Sequence, residues 1–134
     1  MTGAERRKRV LFVCVENCNR SQMAEAFARV HGGGRVEAHS AGVRPSGSVH
    51  PKAIAAMREV GYDLTRHRSK GLSDLPDVEF DVAVTMGCGE LCPPLRAKVR
   101  EDWNVACPKA MAPELLRGVR DLIAEKVKAL LARL

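Results

Sequence analysis

The sequence predicts an α/β protein, a parallel sheet flanked by helices. Three observations carry this. Short apolar runs such as Val10-Leu11-Phe12-Val13 read as buried strands, too uniform for a half-exposed one. Stretches with helical periodicity alternate with them, which favours parallel strands joined by right-handed crossovers. Glycine and proline punctuate the junctions, at Gly32-Gly33-Gly34, Pro51, Gly61 and Pro113.

Taken in order, residues 9–14 form the first strand. A helix runs from about Ser21 to His31, with Met23, Ala24, Phe27 and Val30 as its buried stripe, and the three glycines stop it. Arg35 to Ser40 is a short second strand, closed by Ala41-Gly42. Pro51 and Gly61 bracket a second helix that turns Ala53, Ile54, Met57 and Val60 inward. Residues 62–77 are polar and turn-rich. Phe80 to Met86 is the third strand, and Glu101 to Val105 the fourth. Pro113 opens a final helix with Leu116, Val119, Ile123, Val127, Leu130 and Leu134 at helical spacing.

The chain has 134 residues, enough for one domain (residues 9–134) behind a basic N-terminus, residues 1–8, expected to be disordered. Aromatic residues make up only 4%, so the core must be aliphatic. No apolar run approaches the ~18–20 residues of a membrane span. Arg6-Arg7-Lys8-Arg9 leads into a short run that ends at Cys14, which is not a secretory signal, so a cytoplasmic location and no membrane partner are expected. The net charge of +6 comes largely from that basic terminus, without the aromatic platform of a nucleic-acid binder; it suits an anionic substrate. The chain is expected to be a monomer. His31, His39, His50 and His67 follow no ligand or triad spacing and read as surface or turn residues, and no metal site is expected.

The five cysteines set the chemistry. An odd number without a secretory signal argues for catalytic or redox thiols. Cys14 ends the first strand and Cys18 follows it; Cys88 and Cys92 follow the third strand, and Cys107 the fourth. Parallel strands would bring all five to one edge of the sheet, where ligands of such folds bind. The most specific stretch is Cys14-Val15-Glu16-Asn17-Cys18-Asn19-Arg20-Ser21, between strand and helix. A free thiol titrates near ~8.5 and only the thiolate is a good nucleophile. A helix N-terminus, the Arg20 guanidinium and the Ser21 hydroxyl each stabilise a thiolate at Cys14. Loop N–H groups and the planar Arg20 fork would cradle a tetrahedral oxyanion. Asn17 suits a loop position because it tolerates the left-handed conformation.

Residues 10–24 resemble the phosphate loop of the low-molecular-weight protein tyrosine phosphatase superfamily, and more closely its thioredoxin-coupled arsenate reductase branch. The likeness extends through Glu25, Ser40-Ala41-Gly42, Pro51 to Met57, Val84-Thr85-Met86, Asp102-Trp103 and the final helix. It implies a four-stranded parallel sheet of the flavodoxin-like kind. It also implies that Cys14 attacks arsenate, Cys88 attacks the resulting adduct, and Cys92 takes over the disulfide for reduction by thioredoxin or a similar thiol. No bound cofactor is implied. Some members bind potassium through residues matching Asn17, Glu25 and Ser40 plus an aspartate. Lys70 stands at that aspartate position, and its ammonium is expected to replace the ion and pair with Glu25.

The chain departs from the pattern at Glu16, Cys18 and Asn19, and the phosphatase general-acid pair Asp-Pro appears as Cys107-Pro108. That loss favours a reductase over the alternative, a phosphatase acting on phosphotyrosine or aryl phosphates. A third reading is a non-catalytic thiol sensor or arsenite-binding protein. Cys107 is left without a fixed role: it would donate a proton, join the thiol relay, or do neither.

Overall fold

Four strands pair in parallel in the order β2-β1-β3-β4: β1 (Lys8–Cys14), β2 (Val36–Gly42), β3 (Phe80–Thr85) and β4 (Ala97–Asp102). Among the described residues three α-helices accompany them, α1 (Arg20–Gly32), α2 (Pro51–Arg58) and α3 (Pro113–Ala132). The computed structural model describes residues 7–17, 19–87, 94–105 and 111–134. Cys18, Cys88, Cys92 and Cys107 lie outside the described residues.

The apolar run of β1 follows from its central place. Side chains alternate across a strand, and both faces here are covered. Val10 and Phe12 pack with Met23, Phe27, Ile123 and Val127 on the helical side. Leu11 and Val13 pack with Ala41, Phe80, Ala83 and Leu95 on the other. Phe12 is fully buried, its ring 5.9 Å from that of Trp103, so Phe12→Ala would remove about 3–5 kcal/mol of stability. Trp103 is a buried packing residue, and its indole Nε1 donates to Glu101 Oε1.

Helix α1 has no simple stripe in its first half: Arg20 through Ala28 are all buried. The helix is enclosed by the sheet, by α3 and by the turns after α2, so polar residues of its first turns are interior groups. Val30, expected inside, is 56% exposed because it falls in the last turns of the helix, where that enclosure ends. Val60 and Leu134 are also exposed, since α2 stops at Arg58 and α3 at Ala132 and helical spacing no longer governs them. Ile54 and Val119 are partly buried against the core.

All four strands differ in their bounds from the sequence reading: β2 is Val36–Gly42 and not Arg35 to Ser40, and β3 ends at Thr85 and not Met86. β1 begins at Lys8, which pairs with Val36, so Lys8 belongs to the sheet and not to a disordered terminus. β4 is Ala97–Asp102 and not Glu101 to Val105. It is an edge strand with Lys98, Val99 and Arg100 exposed, so it carries no apolar pattern. Trp103 and Val105, which suggested the later position, are buried just beyond it.

Candidate active site

The loop after β1 is tied down on its outer side. Val43 N donates to the Cys14 carbonyl, Arg44 N to that of Val15, and Ser46 N and Ser69 Oγ to that of Glu16. Carbonyls that would repel an oxyanion are thereby committed elsewhere. Gly42 permits this close approach, since a Cβ there would stand 2.8 Å from Asn17 N and from the Val15 carbonyl oxygen. Asn17 takes the left-handed conformation anticipated for it, with φ 49°.

Cys14 closes β1 and is 3% exposed. Its sulfur lies 2.9 Å from Ser21 Oγ, which puts the thiol at the first turn of α1. Asn17 Nδ2 donates to the same Ser21 oxygen at 2.8 Å, leaving the hydroxyl hydrogen for the sulfur. The orientation of Asn17 is fixed from behind, because its Oδ1 accepts from Lys70 N at 2.8 Å and from Gln22 Nε2 at 2.9 Å. Arg20 opens α1 and is buried. Its Nη1 donates to the Val105 carbonyl at 3.0 Å, and the guanidinium rests on Gly87, whose φ is 82°. A Cβ on Gly87 would come within 2.5 Å of Nη1. The guanidinium has more donors than this single carbonyl uses. Asn19 precedes α1 with its side-chain amide buried and unpartnered among the described residues.

Beneath the loop lies a buried carboxylate. Glu25 accepts from the Ser40 hydroxyl, from Arg29 and from Lys70, whose Nζ is 3.4 Å from Oε1. Lys70 Nζ also reaches Ser40 Oγ and the Arg68 carbonyl, each at 3.3 Å. Burial pushes the Glu25 carboxyl up, but Lys70, Ser40, His67 and Arg29 together outweigh it and hold the group below the usual carboxylate range. The ammonium thus engages oxygens of three residues, Glu25, Ser40 and Arg68.

The geometry brings together Cys14, Asn17, Arg20 and Ser21, with Val15, Glu16 and Asn19 in the same loop and Glu25, Ser40 and Lys70 as its support. Sequence reasoning missed Gln22; His67 stands in a turn, one of the two places expected for it, but its side chain is 7% exposed and bonded at both ring nitrogens. No spacing announces these residues, since their contact spans 45 positions. His50 proves to be the cap of α2, its Nδ1 accepting from Lys52 N. The described residues hold no cluster of metal-ligating side chains, and no helix among them is long and apolar enough to cross a membrane.

A thiol at a helix start, a buried arginine and a tethered loop stand together on a β2-β1-β3-β4 sheet. Residues 9–134 match the low molecular weight phosphotyrosine protein phosphatase family, and the chain belongs to it. Within that family it resembles arsenate reductases. It is 38% identical to a glutaredoxin arsenate reductase of Synechocystis sp., over 95% of this chain and 98% of the relative. It is 35% identical to arsenate reductase 2 of Staphylococcus saprophyticus, over 91% and 95% of the two chains. A solved arsenate reductase in a phosphate-binding state superposes with a TM-score of 0.86 at 39% identity, covering 94% of this chain and 98% of the other.

Proposed function

We propose that this chain is an arsenate reductase whose nucleophile is Cys14. The observation that carries the reading is the Cys14 sulfur 2.9 Å from the Ser21 hydroxyl at the start of α1, in a loop that also places buried Arg20. The similarity to named arsenate reductases along nearly the whole chain supports arsenate over phosphate esters as the substrate.

The chemistry follows from these groups. Arsenate sits in the loop against Arg20, and the Cys14 thiolate attacks arsenic, displacing an oxygen as water. Cys88 then attacks the Cys14 sulfur. A sulfur–sulfur bond forms, the sulfur–arsenic electron pair passes to arsenic, and arsenite leaves. Cys92 takes over the disulfide from Cys14, and an external dithiol reduces it. Cys88 and Cys92 enter on sequence position, four residues apart and after β3. Cys107 in place of an aspartate removes a strong proton donor for ester cleavage, which leaves phosphatase activity weak. Lys70 substitutes for potassium beneath the loop.

Thioredoxin is the expected reductant, as in a Corynebacterium glutamicum structure described as thioredoxin-dependent; its TM-score is 0.75 at 29% identity, and this chain covers 61% of it. The Synechocystis relative is instead named for glutaredoxin. One experiment tests substrate, relay and reductant together. NADPH oxidation is followed with arsenate and either a thioredoxin or a glutathione–glutaredoxin system, for wild type and Cys88→Ser. Arsenate-dependent turnover with one system, lost in the variant, is expected. No turnover with either system overturns the reading, and stoichiometric arsenite binding alone identifies a sensor.

A further inference from the structure

One buried polar group of the nucleophile loop has no use in the fold. Asn19 is 3% exposed, and both Oδ1 and Nδ2 of its side-chain amide lie without a hydrogen-bond partner among the described residues. Such groups are rare in folded proteins, because an unpaired buried amide opposes folding. Asn19 is also one of the loop's departures from the family pattern.

Local structure does not employ the amide. Asn19 holds the N-cap position of α1, where an asparagine side chain ordinarily accepts from a first-turn N–H, yet it makes no capping bond. Its carbonyl does accept, from Met23 N at 3.0 Å, so the backbone opens the helix while the side chain is spared. The loop's carbonyls already have their donors. Those of Cys14, Val15 and Glu16 accept from Val43, Arg44 and Ser46, and that of Asn17 accepts from Gln22. The Val105 carbonyl accepts from Arg20. The other groups at this end of α1 are donors: the N–H groups of Arg20, Ser21 and Gln22, which have no intrahelical acceptor, and the remaining guanidinium hydrogens of Arg20. An unpaired amide NH2 set among donors lacks an acceptor that several of them can share. A tetrahedral oxyanion is such an acceptor.

We infer that the Asn19 side chain is itself a ligand of the oxyanion: Nδ2 donates to an oxygen of the anion held in the loop, alongside the donors of Arg20 and of the first turn of α1. The anion supplies the partner that the fold does not. This rests on the Cys14–Ser21 loop being an oxyanion site, but not on arsenate being the substrate or on the thiol relay. Stability and affinity are opposed at such a residue, whereas a packing residue supports both.

Inorganic phosphate is the probe. Its protection of Cys14 from iodoacetamide is followed by peptide-resolved mass spectrometry for wild type, Asn19→Leu and Asn19→Ala, and each protein is melted with and without phosphate. Leucine keeps the size of the side chain and removes its polar atoms. In Asn19→Leu the half-protecting phosphate concentration is expected to rise at least about tenfold. Its melting temperature without phosphate is expected to equal or exceed that of wild type, while the rise caused by phosphate shrinks. A half-protecting concentration within about twofold of wild type in Asn19→Leu overturns the proposal. So does weaker protection accompanied by a lower melting temperature without phosphate, which marks a merely structural residue. Should Asn19→Leu not fold, unchanged protection in Asn19→Ala overturns it equally. Phosphate that fails to protect Cys14 in wild type overturns the reading of the loop itself, and this inference with it.

Discussion

The Ser21 hydroxyl oxygen stands 2.9 Å from the Cys14 sulfur, while Asn17 Nδ2 occupies the same oxygen as a donor. The hydroxyl hydrogen is therefore available to a thiolate, and a hydrogen bond to a charged group contributes about 1.5–3 kcal/mol. Ser21→Ala is expected to slow the first chemical step about 10–100-fold. Single-turnover formation of the arsenic adduct with excess arsenate measures it. An unchanged rate would remove Ser21 from the mechanism.

Gly87→Ala is expected to disable the arginine without touching it. A left-handed non-glycine residue is disfavoured by about 1–2 kcal/mol, and the added Cβ would fall 2.5 Å from Arg20 Nη1. The guanidinium must leave its position. The expected result is a fall in kcat/KM for arsenate of about 100-fold, from misplacement of the anion clamp. A melting temperature lower by roughly 5 °C should accompany it. Wild-type kinetics in the variant would show that the contact with Gly87 is not needed.

Lys70 gives an ionic prediction. Its ammonium touches Glu25, Ser40 and the Arg68 carbonyl. Turnover is expected to be the same in potassium and sodium salts at equal ionic strength. Lys70→Met strands a buried carboxylate; because Arg29 and Ser40 remain, the expected loss is about 2 kcal/mol, below the full effect of breaking a buried pair. Chemical denaturation measures the loss, and steady-state rates in the two salts test the ion.

Acid should loosen the contact between α2 and α3. Glu59, following α2, accepts hydrogen bonds from Arg117 and Arg120 of α3, which pull its carboxyl down from 4.5 to about 2. A folded value below the unfolded one stabilises the fold above the unfolded value, and that contribution is lost as pH falls toward the folded one. Melting temperature should therefore drop between about pH 4.5 and about pH 2. Glu59→Gln should flatten that part of the curve, with Glu25 retaining a residual slope in the same direction. An identical pH profile in the variant would show that the ion pair makes no contribution.

The parts of this molecule legible in its sequence are those built from local patterns. β1, α1 and the Cys14–Ser21 loop follow from an apolar run, a hydroxyl and glycines in sequence. β4 was shifted because an edge strand buries little: its apolar signal belonged to Trp103 and Val105, which pack just past its end. His67 and Gln22 were illegible for another reason. Each looks like an ordinary polar residue, and only the return of the chain after α2 brings them within 3.0 Å. Lys70 was legible only through family resemblance, which singled out a position that residue chemistry alone does not mark.

The central place of β1 sets how long the reactive sulfur stays sheltered. β1 is hydrogen-bonded to β2 along its length and to β3 from Val10 to Val13. A segment paired on both sides belongs to the part of a fold that opens last, so its exchange with solvent approaches the global unfolding rate. Cys14, the last residue of β1 and paired with Gly42 of β2, is thereby anchored to the slowest-opening part of the sheet, and the backbone that carries the sulfur keeps its place for as long as that sheet persists.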